Sequence, residues 1–266
     1  MKKRSLFIID GQNDFMDISG AALPVKGAAE DMEKLSNWAV PNIEQFDKIY
    51  LTQDSHHYLD IAHPDWWQDA SGNVVAPFTL ITHADIMAGK YTPRLYYKRS
   101  VAYVKALEDN GEYLHFIWPP HCLMGTWGHN FYDAVFNIIL AAEKAKKWPN
   151  FITKGSNPFT EHFGAFRANV EDSNDWSTQL DQNLIASLMD CDEVFIAGEA
   201  RSHCVANSLR QLVQEVPSLA PKLVVLTDCM SDVPGLPAAF YDGVQALYDD
   251  AKAKGVRFET TTTYKF

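Results

Sequence analysis

The chain has 266 residues, 47% of them hydrophobic, and a formal net charge of −11. That apolar content can fill a large α/β core, while the acidic balance argues against nucleic-acid or anionic-membrane surfaces, which attract basic faces. Its four cysteines, Cys122, Cys191, Cys204 and Cys229, lack the density and spacing of a disulfide framework, so a reducing cytoplasm is the expected setting and a small molecule the expected partner.

At the N-terminus, Met1-Lys2-Lys3-Arg4 is basic, but the apolar run over 6–9 stops at Asp10 and is too short for a signal peptide. Residues 5–10 read instead as a buried strand that ends in an acid. Apolar spacing predicts a helix over 28–40 and then a strand over 48–52, running into Thr52-Gln53-Asp54-Ser55-His56-His57. Residues 64–110 form a connection longer than usual and carry Trp66, Trp67, Tyr91, Tyr96 and Tyr97. They are expected to form a lid or an oligomer contact, with one helix over 101–109. Strands are expected over 113–118, 150–154, 193–198 and 222–227, with a further candidate at 256–264. Helices are expected over 131–147, 180–189, 204–216 and 237–254, and no segment approaches the length of a transmembrane helix.

This alternation predicts a three-layer α/β/α fold around a mainly parallel, Rossmann-like doubly wound sheet. No linker, low-complexity tract or repeat divides the chain, so a single domain over 1–266 with an insertion at about 64–110 is expected.

Several strand ends carry chemistry that a core does not need. Asp10 ends Leu6-Phe7-Ile8-Ile9-Asp10, Lys154 ends Phe151-Ile152-Thr153-Lys154, and Cys204 follows an apolar run in Gly198-Glu199-Ala200-Arg201-Ser202-His203-Cys204-Val205. In an open parallel sheet the carboxyl ends of strands meet at one crevice, which would bring together a thiol nucleophile, an acid and an amine. Each also has a plain structural reading: a buried small hydrophobe, a turn cap and a solvated lysine.

A second constellation follows the second strand. Asp54 and His56 are one residue apart and point to the same side of an extended chain, and His121 in Trp118-Pro119-Pro120-His121-Cys122 sits in a stiff turn at the expected end of the third strand. Two imidazoles and a carboxylate suit a divalent ion, Zn²⁺ first and Fe²⁺ or Mn²⁺ next. The competing reading is a hydrogen-bonded turn, since D-x-H pairs in loops are more often that.

As a set, these residues resemble the isochorismatase-like cysteine hydrolase superfamily, and within it the nicotinamidases. Asp10-Gly11-Gln12-Asn13-Asp14-Phe15 is similar to the family's opening D-x-Q-N-D-F, Asp54-Ser55-His56 to its D-x-H, Trp118 to Cys122 to its W-P-x-H-C, and Lys154-Gly155 to its K-G. Glu161-His162-Phe163-Gly164-Ala165-Phe166 resembles the substrate-lining segment, and the stretch from Gly198 to Val205 the nucleophile segment. Several motifs in one order carry a weight that none has alone.

The resemblance implies a metal-dependent amidohydrolase, a nicotinamidase first. Cys204 would be the nucleophile, Asp10 the general base and Lys154 the third member of the triad, with an oxyanion held by backbone N–H groups near Ala200 and Cys204. It also implies a cis peptide at or beside Ala200-Arg201, a metal on Asp54, His56 and His121 that orients the pyridine ring, and a homo-oligomer. Phe15, with Trp66 or Trp67, would stack on the ring, and Phe163 and Phe166 would line the pocket. His63 is open between ligand and turn residue.

The departures lie at Glu199, Arg201, Ser202 and His203, where many nicotinamidases carry small or apolar residues. Arg201 is a candidate for recognising a substrate carboxylate or for bridging Glu199. The alternatives are therefore an amidase of the same group acting on a carbamoyl or maleamate-type compound, or a non-catalytic protein that binds through the inherited pocket.

Overall fold

The computed structural model of the chain describes residues 2–266. β1 (Arg4–Ile9) is buried from Ser5 onward without alternation, as a strand covered on both faces requires. Its side chains divide by parity: Leu6 and Ile8 join one core cluster, Phe7 and Ile9 the other. α1 (Ala28–Ala39) buries Ala28, Met32, Leu35 and Ala39, a helical stripe, and leads to β2 (Lys48–Asp54), which pairs in parallel with β1.

The chain then leaves the sheet. β3 (Trp67–Asp69), β4 (Leu80–Ile81), α2 (His83–Met87), β5 (Tyr91–Pro93), α3 (Tyr97–Asp109) and β6 (His115–Phe116) follow, with β3 pairing β5 and β4 pairing β6, both antiparallel. α4 (Asp133–Lys144) brings the chain back to the sheet edge as β7 (Asn150–Lys154). α5 (Gln182–Met189) is capped by Asp181, whose carboxylate accepts from the Leu184 amide at 2.9 Å. β8 (Glu193–Gly198), α6 (Ala206–Glu215), β9 (Leu223–Leu226), α7 (Ala238–Ala253) and β10 (Arg257–Glu259) complete the order.

The central sheet has six strands in the order β10-β9-β8-β1-β2-β7, and every pairing in it is parallel. α1 and α4 cover one face; α5, α6 and α7 cover the other. The expected three-layer α/β/α architecture is thus present. From β1 the chain builds outward through β2 to β7 and then crosses to β8 on the opposite side. The topological switch point therefore lies between β1 and β8, where a crevice opens beyond the strand ends. No helix among the described residues is long and apolar enough to cross a membrane.

One expected strand lies elsewhere. Residues 113–118 are expected to form a strand of the main sheet, but only β6 is extended there, and its partner is β4. Ile117 N–H donates to Thr79 O at 2.9 Å and Trp118 N–H to Ala62 O at 2.8 Å, while β7 takes the place beside β2. The physical reason is a separate apolar cluster, built from residues including Ile61, Trp67, Ile81, Val104 and Ile117, which holds this segment against the insertion.

Trp66 and Trp67 belong to that same cluster. Their indole N–H groups donate to Ser100 Oγ at 2.9 Å and Ile61 O at 2.6 Å, so neither ring is free to stack on a substrate.

Candidate active site and metal cluster

β1, β2 and β7 end side by side, and register places Lys154 opposite Asp54. Asp10, just past β1, has φ of +46°, a left-handed conformation that Asp tolerates better than most residues. Thr52 secures it twice: its hydroxyl accepts from the Asp10 amide at 3.0 Å and donates to Oδ1 at 2.5 Å. Lys154 Nζ lies 2.8 Å from Asp10 Oδ2, 2.9 Å from Asp54 Oδ1 and 3.7 Å from Cys204 Sγ. All four residues are buried, so one ammonium is shared by two carboxylates and a thiol.

Glycines make room for this arrangement. Gly155 has φ of +79°, and a Cβ there would stand 2.8 Å from Asp54 Oδ1. The opening motif also has a visible use, because the Gln12 side chain clamps the Asp54 peptide, accepting from its N–H at 2.7 Å and donating to its carbonyl at 2.8 Å. Asp14 accepts from the Cys122 amide at 2.7 Å and so ties the His121 turn to the short turn, Asn13–Phe15, that follows β1.

Charge in this network is unevenly held. Burial pushes the Cys204 thiol well above its ordinary value, Lys154 pulls it back, and Asp10 and Asp54 push it further up. Burial likewise raises Asp10 against the pull of Lys154. Lys154 itself, despite burial, is held well above its usual range by Asp10 and Asp54. Burial outweighs the pull of Lys154 on the thiol, so the arrangement sets a protonated thiol beside a carboxylate of raised basicity.

Cys204 sits in a π-helical turn, Arg201–Val205, entered through a cis peptide between Glu199 and Ala200, one bond before Ala200-Arg201. Within it the Arg201 N–H is committed to Ser231 O at 2.8 Å, and the His203 and Val205 N–H groups to Ala200 O at 3.0 and 3.2 Å. The amides of Ala200 and Cys204 are not among these committed donors and are the candidates for an oxyanion.

Asp54 reaches a second cluster with its other oxygen. Its Oδ2 lies 3.1 Å from His56 Nε2 and 3.5 Å from His121 Nε2. His56 Nδ1 faces Asp60 Oδ2 at 3.1 Å, and His121 Nδ1 faces Pro119 O at 2.9 Å. Each Nδ1 that donates there leaves its Nε2 lone pair pointing at the cluster, as metal-binding imidazoles require. Asp54, His56 and His121 place three ligand atoms within 4.8 Å of one another. Against the opposing effect of burial, Asp54 and Asp60 push the His56 imidazole well above its ordinary value, so the cluster favours positive charge.

His63 is fully buried, with its ring centroid 5.1 Å from that of His56 and 5.6 Å from that of His121. Its Nδ1 faces the carbonyls of His57 and Tyr58, and its Nε2 has no partner among the described residues. Burial and the two neighbouring imidazoles push it down to about 3, so it stays neutral. A neutral imidazole with an orphaned nitrogen beside a carboxylate and two further imidazoles fits a divalent cation.

A pocket beside Cys204 is lined by Phe15, Leu23, Trp118, Phe163, Ala200 and Val233, with Asp54, His121, Glu161 and His203 also on its wall. Phe15 meets His121 edge-on, centroids 5.5 Å apart. Two expected contributors are elsewhere. Phe166 is stacked on Phe7 at 5.7 Å in the core beneath the sheet, because the segment turns its ring inward after Ala165. Arg201 points away: its guanidinium binds Asp232 at 2.9 Å and Gln245 at 2.7 Å and lies over the Tyr248 ring, so it bridges neither Glu199 nor a ligand in the pocket.

The sequence does not single out Asp60, and it shows Glu161 only as part of the substrate-lining segment. Asp60 lies four residues after His56, a spacing that brings a carboxylate back to the imidazole. Glu161 Oε1 has no partner among the described residues, and burial pushes its carboxyl up to about 8. Glu199, a departure in the nucleophile segment, is buried beside Asp31; its Oε2 accepts from the Ser231 amide at 3.2 Å while the Ser231 hydroxyl donates to Asp31 at 2.5 Å.

No family model matches the chain. Among curated proteins, the nicotinamidase of Saccharomyces cerevisiae is 23% identical over 203 residues, 76% of this chain and 77% of that protein. Among solved structures, the yeast nicotinamidase bound to the inhibitor nicotinaldehyde superposes with a TM-score of 0.65 at 19% identity, covering 97% of this chain and 99% of the other. A nicotinamidase/pyrazinamidase of Acinetobacter baumanii gives 0.63 at 18% identity, with 98% of both chains covered. The Pyrococcus horikoshii pyrazinamidase in complex with zinc gives 0.55 at 16% identity, covering 97% of this chain and 99% of the other. The chain has the fold of these proteins, and the resemblance carried by its motifs agrees with the curated relative.

Proposed function

We propose that the chain is a metal-dependent amidohydrolase of the nicotinamidase type, converting nicotinamide and water to nicotinate and ammonia through a thioester on Cys204. The observation that carries this reading is the position of Lys154 Nζ, within 3.7 Å of Cys204 Sγ and 2.8 Å of Asp10 Oδ2. That contact gathers nucleophile, base and cation into one buried unit next to a small pocket.

Asp10 takes the thiol proton as Sγ attacks the carboxamide carbon, and the amides of Ala200 and Cys204 receive the charge on oxygen. Collapse of the tetrahedral species breaks the C–N bond while Asp10 returns the proton to the leaving nitrogen, releasing ammonia. A water then attacks the thioester, with Asp10 as base, and the thiol is restored as the acid departs. Lys154 keeps the negative charge of this cycle within the site.

Asp54, His56 and His121, with His63 as the candidate fourth ligand, would hold a divalent ion, Zn²⁺ before Fe²⁺ or Mn²⁺. Such an ion supplies a Lewis-acid anchor for a ring nitrogen. Phe15 and Phe163 flank the space where that ring would lie. A substrate carboxylate finds no counterpart in Arg201, which removes the support for an acidic amide.

Ammonia release from nicotinamide by metal-replete protein, with Cys204→Ala in parallel, tests the reading. Release that the variant lacks is expected. Release that survives in Cys204→Ala, or no release from a protein whose metal is bound and whose thiol is reactive, would overturn it.

A further inference from the structure

The pocket beside Cys204 holds only about 30 Å³ of free space. Trp118, Phe163 and His203 stand on its wall, and the same three side chains also line a neighbouring cavity of about 530 Å³. Tyr113, Leu114, Phe116, Leu236 and Phe240 also line that cavity. His203 is stacked on Phe240 at 5.2 Å and 27°, and Trp118 meets it edge-on at 5.2 Å and 85°. The Tyr113 hydroxyl donates to Ser202 O at 3.0 Å, which fixes this wall to the turn that carries the nucleophile.

The cavity offers little to a charged group. Glu112, the acid on its wall, is occupied by Arg210 and by the Asn169 side-chain amide at 2.8 Å. An apolar concave surface that shares walls with a reactive centre suits the unreacting part of a substrate, where burial of apolar area adds affinity and aromatic walls orient a ring.

We propose that this cavity is an annex of the substrate site, and that the preferred substrate is an aromatic amide bearing an apolar substituent, with the carboxamide at Cys204 and the substituent among Tyr113, Leu114 and Phe240. The proposal rests on the amidase reading for the chemistry but not for the binding.

The test is calorimetric titration of metal-replete Cys204→Ala protein with nicotinamide and with its ring-phenylated derivatives, alongside turnover of the same amides by the unaltered chain. At least one phenylated amide should bind about tenfold or more tightly than nicotinamide. Ala239→Trp, which fills the annex, should bring that ratio back to about one. Leu114→Lys, at a position 43% exposed and so tolerant of charge, should lower it in a protein that still unfolds normally. Weaker or equal binding of every phenylated amide, or a preference that survives both substitutions, would overturn the annex. Self-association that Leu114→Lys weakens, with no preference for phenylated amides, would assign the cavity to a second copy of the chain and overturn it as well. Preference in binding with no turnover of any amide overturns the amidase reading and leaves the annex standing; turnover of nicotinamide without preference does the reverse.

Discussion

Lys154 Nζ lies 2.9 Å from Asp54 Oδ1, while Asp54 Oδ2 faces the imidazoles of His56 and His121 at 3.1 and 3.5 Å. One carboxylate thus belongs both to the charge network around Cys204 and to the candidate metal cluster. Asp54→Asn should therefore fail in two measurements at once: metal affinity lower by at least about 100-fold in a chelator competition, and turnover lost even at saturating metal. If saturating metal restores full turnover, the link between the two clusters has no functional role.

The thiol and its neighbours make opposite predictions for two substitutions that are both expected to stop turnover. Burial raises Cys204, Asp10 raises it further and Lys154 lowers it. Asp10→Asn should therefore shift the alkylation midpoint of Cys204 to lower pH, and Lys154→Met should shift it to higher pH. Lys154→Met also leaves Asp10 and Asp54 buried without their cation, at a cost to stability of about 3–5 kcal/mol in denaturant unfolding. Shifts of the same sign in both variants would contradict the arrangement.

Away from the site, Glu193 opens β8 at 3% side-chain exposure, paired with Arg4 at 2.8 Å, Arg257 at 2.9 Å and Lys2 at 3.1 Å. Against the opposing effect of burial, hydrogen bonds from Arg4, Arg257, Lys2 and Tyr264 hold its carboxyl down to about 2, from an ordinary value of 4.5. A depressed carboxylate contributes stability that is fully present above its unfolded pKa and lost as pH falls through the folded one. Between pH 4.5 and about 2 the chain should lose up to about 3 kcal/mol from this group, and Glu193→Gln should remove that slope. Identical pH dependence of unfolding in the variant would sink the assignment.

Gly198 closes β8 with φ of +125°, and a Cβ there would stand 2.0 Å from Ile9 O. Gly198→Ala should push β8 from β1 at the switch point and lower turnover more steeply than thermal stability, since the displaced segment is the one that leads to Cys204. Unchanged kcat with a large loss of stability would assign Gly198 to the sheet alone.

How much of this was legible depends on how local the cause is. Asp10, Lys154 and Cys204 are recognisable because an acid, an amine and a thiol stand at or just beyond the ends of apolar runs, and parallel strands carry such ends to one crevice. Asp54 and His56 were recognisable because alternation in an extended chain puts both on one side. Phe166 and Arg201 lie away from the pocket although the motifs point to them, because motif position says nothing of where a side chain turns: Phe7 claims one ring and Asp232 claims the guanidinium. Residues 113–118 have the apolar character of a strand in any sheet, and only the cluster around Trp67 and Val104 decides which sheet takes them.

The sequence by itself determined the strand–helix alternation, the parallel three-layer class and the chemical identity of the groups at the strand ends, because periodicity and residue type are properties of neighbours along the chain. The tertiary structure decided what those groups do to one another. Lys154 is shared between Asp10, Asp54 and Cys204, His63 keeps a nitrogen with no partner among the described residues beside two other imidazoles, and an aromatic-lined cavity lies beside His203. Those relations depend on distances between residues up to about a hundred and fifty positions apart, and they are set by strand order and burial, which no local pattern encodes.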